Sequence, residues 1–192
     1  FEEIIGKALR APSWANTQPW EFAVVGKEQV QEIGKSYIEK VTAGEPMNPD
    51  FAGPREFPEP FDTRRRAVGR EMFEVMGLKR EDKEKRAQWG LQGMKFFEAP
   101  HALFILTDRS FYYQESVTNL WPLFDCGLVA QNIMLLAVNY GLGTIPEIQA
   151  VAYPDVLRKV LGIPDSKLIV LGLAIGYPDP DNVINKMRTE RE

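Results

Sequence analysis

Cysteine and histidine are nearly missing from this chain, with one of each in 192 residues. The single thiol, Cys126, excludes a disulfide framework within the chain and suits a reducing, cytoplasmic setting. It lies in an apolar run with no histidine at recognisable spacing, so it reads as a small core residue and not a nucleophile. His101, between a proline and an apolar stretch, has no cysteine or carboxylate at ligand spacing, and no metal site is expected. Phosphate-cradling and acyl-transfer patterns are lacking too: there is no G-x-G-x-x-G after a strand, no Walker loop and no G-x-S-x-G elbow around Ser13. Positive charge is also short. With 23 Lys and Arg against 27 Asp and Glu the net charge is −4, which offers no global field to nucleic acid or an anionic membrane.

An uninterrupted membrane-length run is lacking as well. The longest apolar stretch, LFDCGLVAQNIMLLAVNYGLG, carries Asp125, Gln131, Asn132 and Asn139, whereas a span needs about 20 largely apolar residues. It predicts a central helix buried all round in a soluble protein. No signal or transit segment is legible at Phe1. The chain starts inside a helical pattern without an initiator methionine, so upstream residues are expected to precede it.

What is present alternates helix and strand. Residues 1–10 place Ile4, Ile5, Ala8 and Leu9 on one helical face before Pro12. WEFAVVG, HALFILTD and SKLIVLGLAIGYPDP read as strands, the last buried on both faces. Val30, Ile33, Tyr37 and Val41 mark a helix over 27–41, and YPDVLRKVLG a shorter one with proline in its first turn. TIPEIQ is a short strand or loop. Residues 42–62 hold five prolines among scattered Phe and Met, a length and composition typical of functional or mobile loops. Two helices broken near Gly77 are expected in the charged stretch 63–97. Its cluster Arg64, Arg65, Arg66 and Arg70 has acidic neighbours and reads as a solvated face, not a nucleic-acid site. The pattern predicts one domain over 1–192, of α+β or layered α/β/α class.

One loop stands out. APSWANTQPW, residues 11–20, combines two prolines, two tryptophans, a serine, an asparagine and a glutamine. It is either a rigid turn with core tryptophans or an edge able to grip a planar ring that alternates carbonyl and N–H groups. With no metal site, nucleophile or phosphate loop in view, the chain either merely binds or lets a cofactor carry the chemistry.

Four stretches in order, ALRAPSWANTQPWEFAVV, DCGLVAQNIMLLAVNYGLGTIP, YPDVLRKVLGIP and LIVLGLAIGYPD, followed by INKMRTER, resemble the FMN-dependent nitroreductases. The likeness spans nearly the whole chain and is greatest to the nitrobenzene and nitrobenzoate reductase branch. It implies an α/β/α layered fold with a mainly antiparallel central sheet and a long buried central helix, in an obligate homodimer with FMN at the subunit interface. Pro12, Ser13, Asn16 and Gln18 would approach the isoalloxazine from the neighbouring subunit, while Trp14 and Trp20 pack the loop and dimer. Pro146, Glu147 and Ile148 would line the ring, and Lys186, Arg188 and Arg191 are candidates for the FMN phosphate.

The resemblance further implies that NADH or NADPH gives hydride to the flavin in a ping-pong cycle ending on a nitroaromatic or quinone-like acceptor. No catalytic side chain is then required. Residues 42–97 occupy the place of a variable active-site cover, where Phe51, Phe57, Phe61, Met72 and Phe73 either pack over an aromatic substrate or close the core. The family's arginine-rich opening and its C-terminal extension are not in this sequence and are expected beyond its ends. Two other readings stay open: a reductive dehalogenase of the same flavin fold, whose Glu, Tyr and Lys set finds no match in 42–97, and a flavin-storing protein without turnover.

Overall fold

A computed structural model describes residues 1–189. In chain order the main elements are α1 (Glu2–Ala8), β1 (Trp20–Val25), α2 (Lys27–Thr42), α3 (Phe61–Val75) and α4 (Lys83–Gly90). There follow β2 (His101–Asp108), α5 (Arg109–Tyr112), β3 (Tyr113–Gln114), β4 (Val117–Thr118) and α6 (Trp121–Asn139). The chain then runs through β5 (Gly143–Glu147), α7 (Pro154–Leu161) and β6 (Lys167–Gly176). They fall into two compact units, Phe1–Ala52 with Gly93–Tyr177, and Gly53–Gln92 with the segment from Pro178 onward.

The first unit is built on a four-stranded sheet ordered β1-β2-β6-β5, with every pairing antiparallel. Strand side chains alternate between faces, and the core divides accordingly. Ala102, Phe104 and Leu106 of β2 join Ile169 and Ala174 of β6 in a cluster with Val30, Ile33 and Tyr37 of α2 and Val156 and Leu157 of α7. Leu103 and Ile105 join Leu173 and Ile175 on the other face, against Ile4 and Ala8 of α1 and Cys126, Val129, Ala130 and Ile133 of α6. Central β6 therefore reads as a continuous apolar run because both of its faces are covered. A bulge between Ile105 and Leu106 shifts the β2–β6 register. The stretch after α2 is anchored and not loose: Tyr153 Oη donates to the Glu45 carbonyl at 2.9 Å, and Asp50 Oδ2 accepts from Arg158 at 2.9 Å and from the Ile169 N–H at 2.8 Å.

One expectation needs correction. α6 is not buried all round. Its inner face, including Asp125, Cys126, Val129 and Ile133, is core, but Trp121, Phe124, Leu135 and Val138 are 51%, 59%, 59% and 67% exposed. The helix lies on the sheet and α1 with one face only, and in a single chain nothing covers the other. By length and composition it is the one helix among the described residues apolar enough to cross a membrane. Its buried carboxyl and its packing against the sheet are those of a core helix.

In the second unit, α3 and α4 are held by side-chain contacts more than by a core. The Trp89 indole donates to Met72 Sδ at 3.2 Å, and the Arg86 guanidinium lies 3.8 Å from the centre of the Phe73 ring. Asp62 pairs with Arg65 at 2.6 Å and with Arg66 at 2.5 Å, so much of the arginine cluster's charge is answered locally. The Asp62 carboxyl is held below its ordinary value, chiefly by its hydrogen bond from Arg65.

Candidate functional site

The loop between α1 and β1 is rigid for reasons visible residue by residue. Ala15, Asn16 and Gln18 all adopt left-handed backbone, with φ of 49°, 59° and 46°. Asparagine tolerates that region, but alanine and glutamine each give up about 1–2 kcal/mol there. Local bonds compensate. Ser13 Oγ accepts the Gln18 N–H at 3.0 Å, Thr17 Oγ1 donates to the Trp14 carbonyl at 2.9 Å, and Gln18 Nε2 donates to the Asn16 carbonyl at 3.3 Å. From outside the loop, Asp125 Oδ2 of α6 accepts the Trp14 N–H at 3.1 Å.

The result is a fixed edge on which Pro12, Asn16 and Gln18 stand exposed and Ser13 half-buried. The Ser13 hydroxyl accepts within the loop and keeps its own proton to donate outward. Trp20 is core. Trp14 departs from its expected packing role within the chain: it is 55% exposed. It lines a cavity of about 760 Å3 with the β3–β4 hairpin and Leu120, Trp121 and Phe124.

The second predicted segment closes β5, an edge strand bonded only to β6. Pro146 is at home there, since an edge strand can spare the missing N–H. Pro146 and Ile148 are exposed, whereas Glu147 turns inward and is 7% exposed. Both Glu147 carboxyl oxygens are buried without a hydrogen-bond partner. Burial pushes its pKa up to about 8, so it is a neutral acid at neutral pH. Its surroundings are tight: a Cβ on Gly93 would stand 3.1 Å from Glu147 Oε2 and 1.8 Å from Gln149 Oε1. Expected only to line a ring, Glu147 carries a feature the sequence did not announce.

The remaining predicted residues are dispersed. In the second unit, exposed Lys186 ends a short turn. There the Arg188 guanidinium donates to the Asn185 and Met187 carbonyls at 2.8 Å and 2.6 Å, while its N–H meets Glu71 Oε1 at 3.3 Å. Arg191 lies outside the described residues. Of the apolar candidates, Phe51 meets Tyr112 edge-on at 4.9 Å in the first unit. In the second unit Phe57 lies under Arg65 at 5.0 Å, Met72 and Phe73 make the contacts given above, and Phe61 is 55% exposed.

One residue and one element were missed. Asp125 registered in the sequence only as a polar interruption of an apolar run, yet a lone acid in a core helix is itself a signal that something must meet it. The hairpin over 113–118 was too short to leave a strand pattern. Cys126 is 1% exposed, and burial, with Asp125 beside it, pushes its thiol up to about 12. No group of three metal-ligating side chains occurs among the described residues.

Residues 1–177 match the nitroreductase family. The chain is 30% identical over 194 residues to a chloronitrobenzene nitroreductase of Comamonas testosteroni, covering 99% of this chain and 82% of that protein. It is 30% identical over 197 residues to a nitrobenzene nitroreductase of Ectopseudomonas oleovorans, covering 100% and 83%. Among solved structures, the FMN- and NADPH-dependent nitroreductase NfnB of Sphigopyxis sp. strain HMH superposes with a TM-score of 0.89 at 31% identity, covering 99% of this chain and 83% of the other.

Proposed function

The chain belongs to the nitroreductase family, and we propose that it is an FMN-dependent oxidoreductase passing electrons from NADH or NADPH to nitroaromatic or quinone-like acceptors. The observation that carries this reading is the family match over 1–177 together with a loop fixed so as to present Ser13 and Asn16 outward. The residues suit the cofactor. Pro12, Ser13, Asn16 and Gln18 offer a hydroxyl and two amides to a ring edge of carbonyl and N–H groups. Exposed Pro146 and Ile148 offer flat apolar contact to a ring face. Lys186, Arg188 and Arg191 would serve the phosphate.

When bound, FMN would supply the two-electron chemistry between nicotinamide and acceptor, in the ping-pong order we propose. The chain's own residues bind and orient. Glu147, held neutral by burial, adds no negative charge to the segment where electrons are delivered. No side chain has to act as nucleophile.

The working form we propose is a cytoplasmic, α/β/α layered homodimer, each chain's 12–18 loop serving the flavin of the other. The exposed apolar side chains Trp121, Phe124, Leu135 and Val138 on the outer side of α6 support this, because exposed apolar surface of that kind marks an association surface. Residues 42–97 would form the variable cover of one flavin-binding domain. Among the five apolar candidates, Phe61 has the most exposed ring to offer an aromatic substrate.

The test is direct. Purified protein should be yellow, bleach anaerobically with NADH or NADPH, and recover its colour on adding nitrobenzene. A chain that takes up no FMN ends this reading, and a yellow chain that neither nicotinamide reduces favours storage. Asn16→Ala should raise the FMN dissociation constant about tenfold, the value of one or two ring-edge hydrogen bonds, with a fall in thermal midpoint of a few degrees from placing alanine in left-handed backbone. Equal FMN retention in the variant and the parent would remove Asn16 from the site.

A further inference from the structure

The turn Trp14–Asn16 begins without a cap of its own. Ser13 stands at the capping position with extended backbone, φ −141° and ψ 153°, but makes no side-chain cap bond. Its hydroxyl is engaged by the Gln18 N–H instead, closing the loop on itself. The first N–H of the turn is therefore left to a distant acceptor, the carboxyl of Asp125, 111 residues away in the chain. That carboxyl is 2% exposed and belongs to the face of α6 that meets the sheet and α1.

These two bonds have different jobs. The Ser13–Gln18 bond gives the loop its shape. The Trp14–Asp125 bond gives it a place, because among the described residues it is the bond that ties the stretch 12–18 to α6. A carboxyl group is a strong acceptor for a backbone N–H, and its burial on a packed helix fixes the acceptor's position. A main-chain donor held from α6 also sets where Trp14 emerges, next to Trp121 and Phe124 on the same helix.

We infer that Asp125 is the positioning residue of the flavin-edge loop: it caps the Trp14 turn from α6 and so registers Ser13 and Asn16 on the helix. The inference rests on the flavin reading for its consequence, though not for the tie itself. Without the acceptor the loop keeps its internal bonds but loses its registration, and cofactor retention falls even though no residue touching the ring has changed.

The test compares Asp125→Ala, Asp125→Asn and a control, Val129→Ala, in the full chain with FMN. Val129 is fully buried one turn further along α6, in the apolar cluster on that face, and its side chain has no atom that can hydrogen-bond to the loop. Hydrogen exchange at the Trp14 amide, the FMN dissociation constant and the thermal midpoint are read for each. In Asp125→Ala, Trp14 exchange should speed up and FMN dissociation should weaken, each by about tenfold or more. Asp125→Asn retains an acceptor oxygen and should restore both to within about threefold. Val129→Ala should lower the midpoint while leaving FMN affinity within about twofold.

Wild-type Trp14 protection in Asp125→Ala, no rescue by asparagine, or an equal FMN loss in Val129→Ala would each overturn the inference. If the parent binds no FMN, the flavin reading has failed, and Trp14 exchange alone decides whether the tie exists.

Discussion

Exchanging Glu147 for glutamine is expected to remove the decline in stability that this carboxyl should impose on the parent chain between pH 5 and pH 8. The Glu147 carboxyl titrates near 8 in the folded chain against an ordinary value of 4.5. Below 4.5 both folded and unfolded chains hold the proton, and the group has no effect on the pH dependence. Above it the unfolded chain releases the proton while the folded chain keeps it, so stability falls as pH rises, by about 1.4 kcal/mol per pH unit. The fall levels off above about pH 8, after a loss on the order of 5 kcal/mol.

Glutamine has nearly the same shape and no proton to release. Denaturant midpoints of the FMN-free proteins should therefore differ little in slope against pH below 4.5 and diverge progressively from 5 to 8, with Glu147→Gln the more stable at the alkaline end. A fixed offset between the variants is compatible with this, since a buried amide carries its own desolvation penalty. Parallel pH profiles for the two proteins would show that Glu147 does not hold its proton in the folded state.

The second large effect is steric. Gly172 of β6 is paired with Phe104 on one side and Glu147 on the other. A Cβ placed on it would come within 2.4 Å of Ala150 Cβ and 3.2 Å of Phe104 Cε1. Neither neighbour is free to yield. Both are fully buried, and the Ala150 carbonyl accepts the Tyr37 hydroxyl at 2.8 Å. Gly172→Ala is expected to destabilise the chain by about 1–3 kcal/mol, lowering the thermal midpoint by several degrees. Adding Ala150→Gly removes the atom in the way and should recover a large part of that loss. Simple additivity of the two substitutions would mean the clash is absorbed elsewhere.

The strands and helices that the sequence announced are those whose burial leaves a pattern. β2 and β6 are covered on both faces and read as unbroken apolar runs. α7 starts on Pro154 and stops on Gly162, which adopts φ 67° as a helix-ending glycine should. The 11–20 loop declared itself through its side chains, and its sequence order with the later motifs identified the family. β5 stayed ambiguous between strand and loop because a five-residue edge strand containing proline carries little periodicity.

Other features left no pattern to read. The left-handed backbone at Ala15, Gln18, Phe96, Phe97 and Glu98 involves no glycine, so composition gave no warning of it. α6 looked buried all round because hydropathy registers an apolar side chain equally whether its own sheet covers it or nothing does. An acid ordinarily signals solvent, which hid both the inward turn of Glu147 and the cap supplied by Asp125. In the tail, a basic residue reads as available charge, while the Arg188 guanidinium is engaged by neighbouring carbonyls.

The seat of the single thiol bears on how long such a catalyst would last. Quinones and the nitroso compounds formed by partial nitro reduction are electrophiles, and what they capture on proteins is the thiolate. Cys126 is the chain's only cysteine, 1% exposed, with its thiol pushed up to about 12. At neutral pH it is neither ionised nor reachable. Within these residues a reductase would release reactive products without offering them a thiolate.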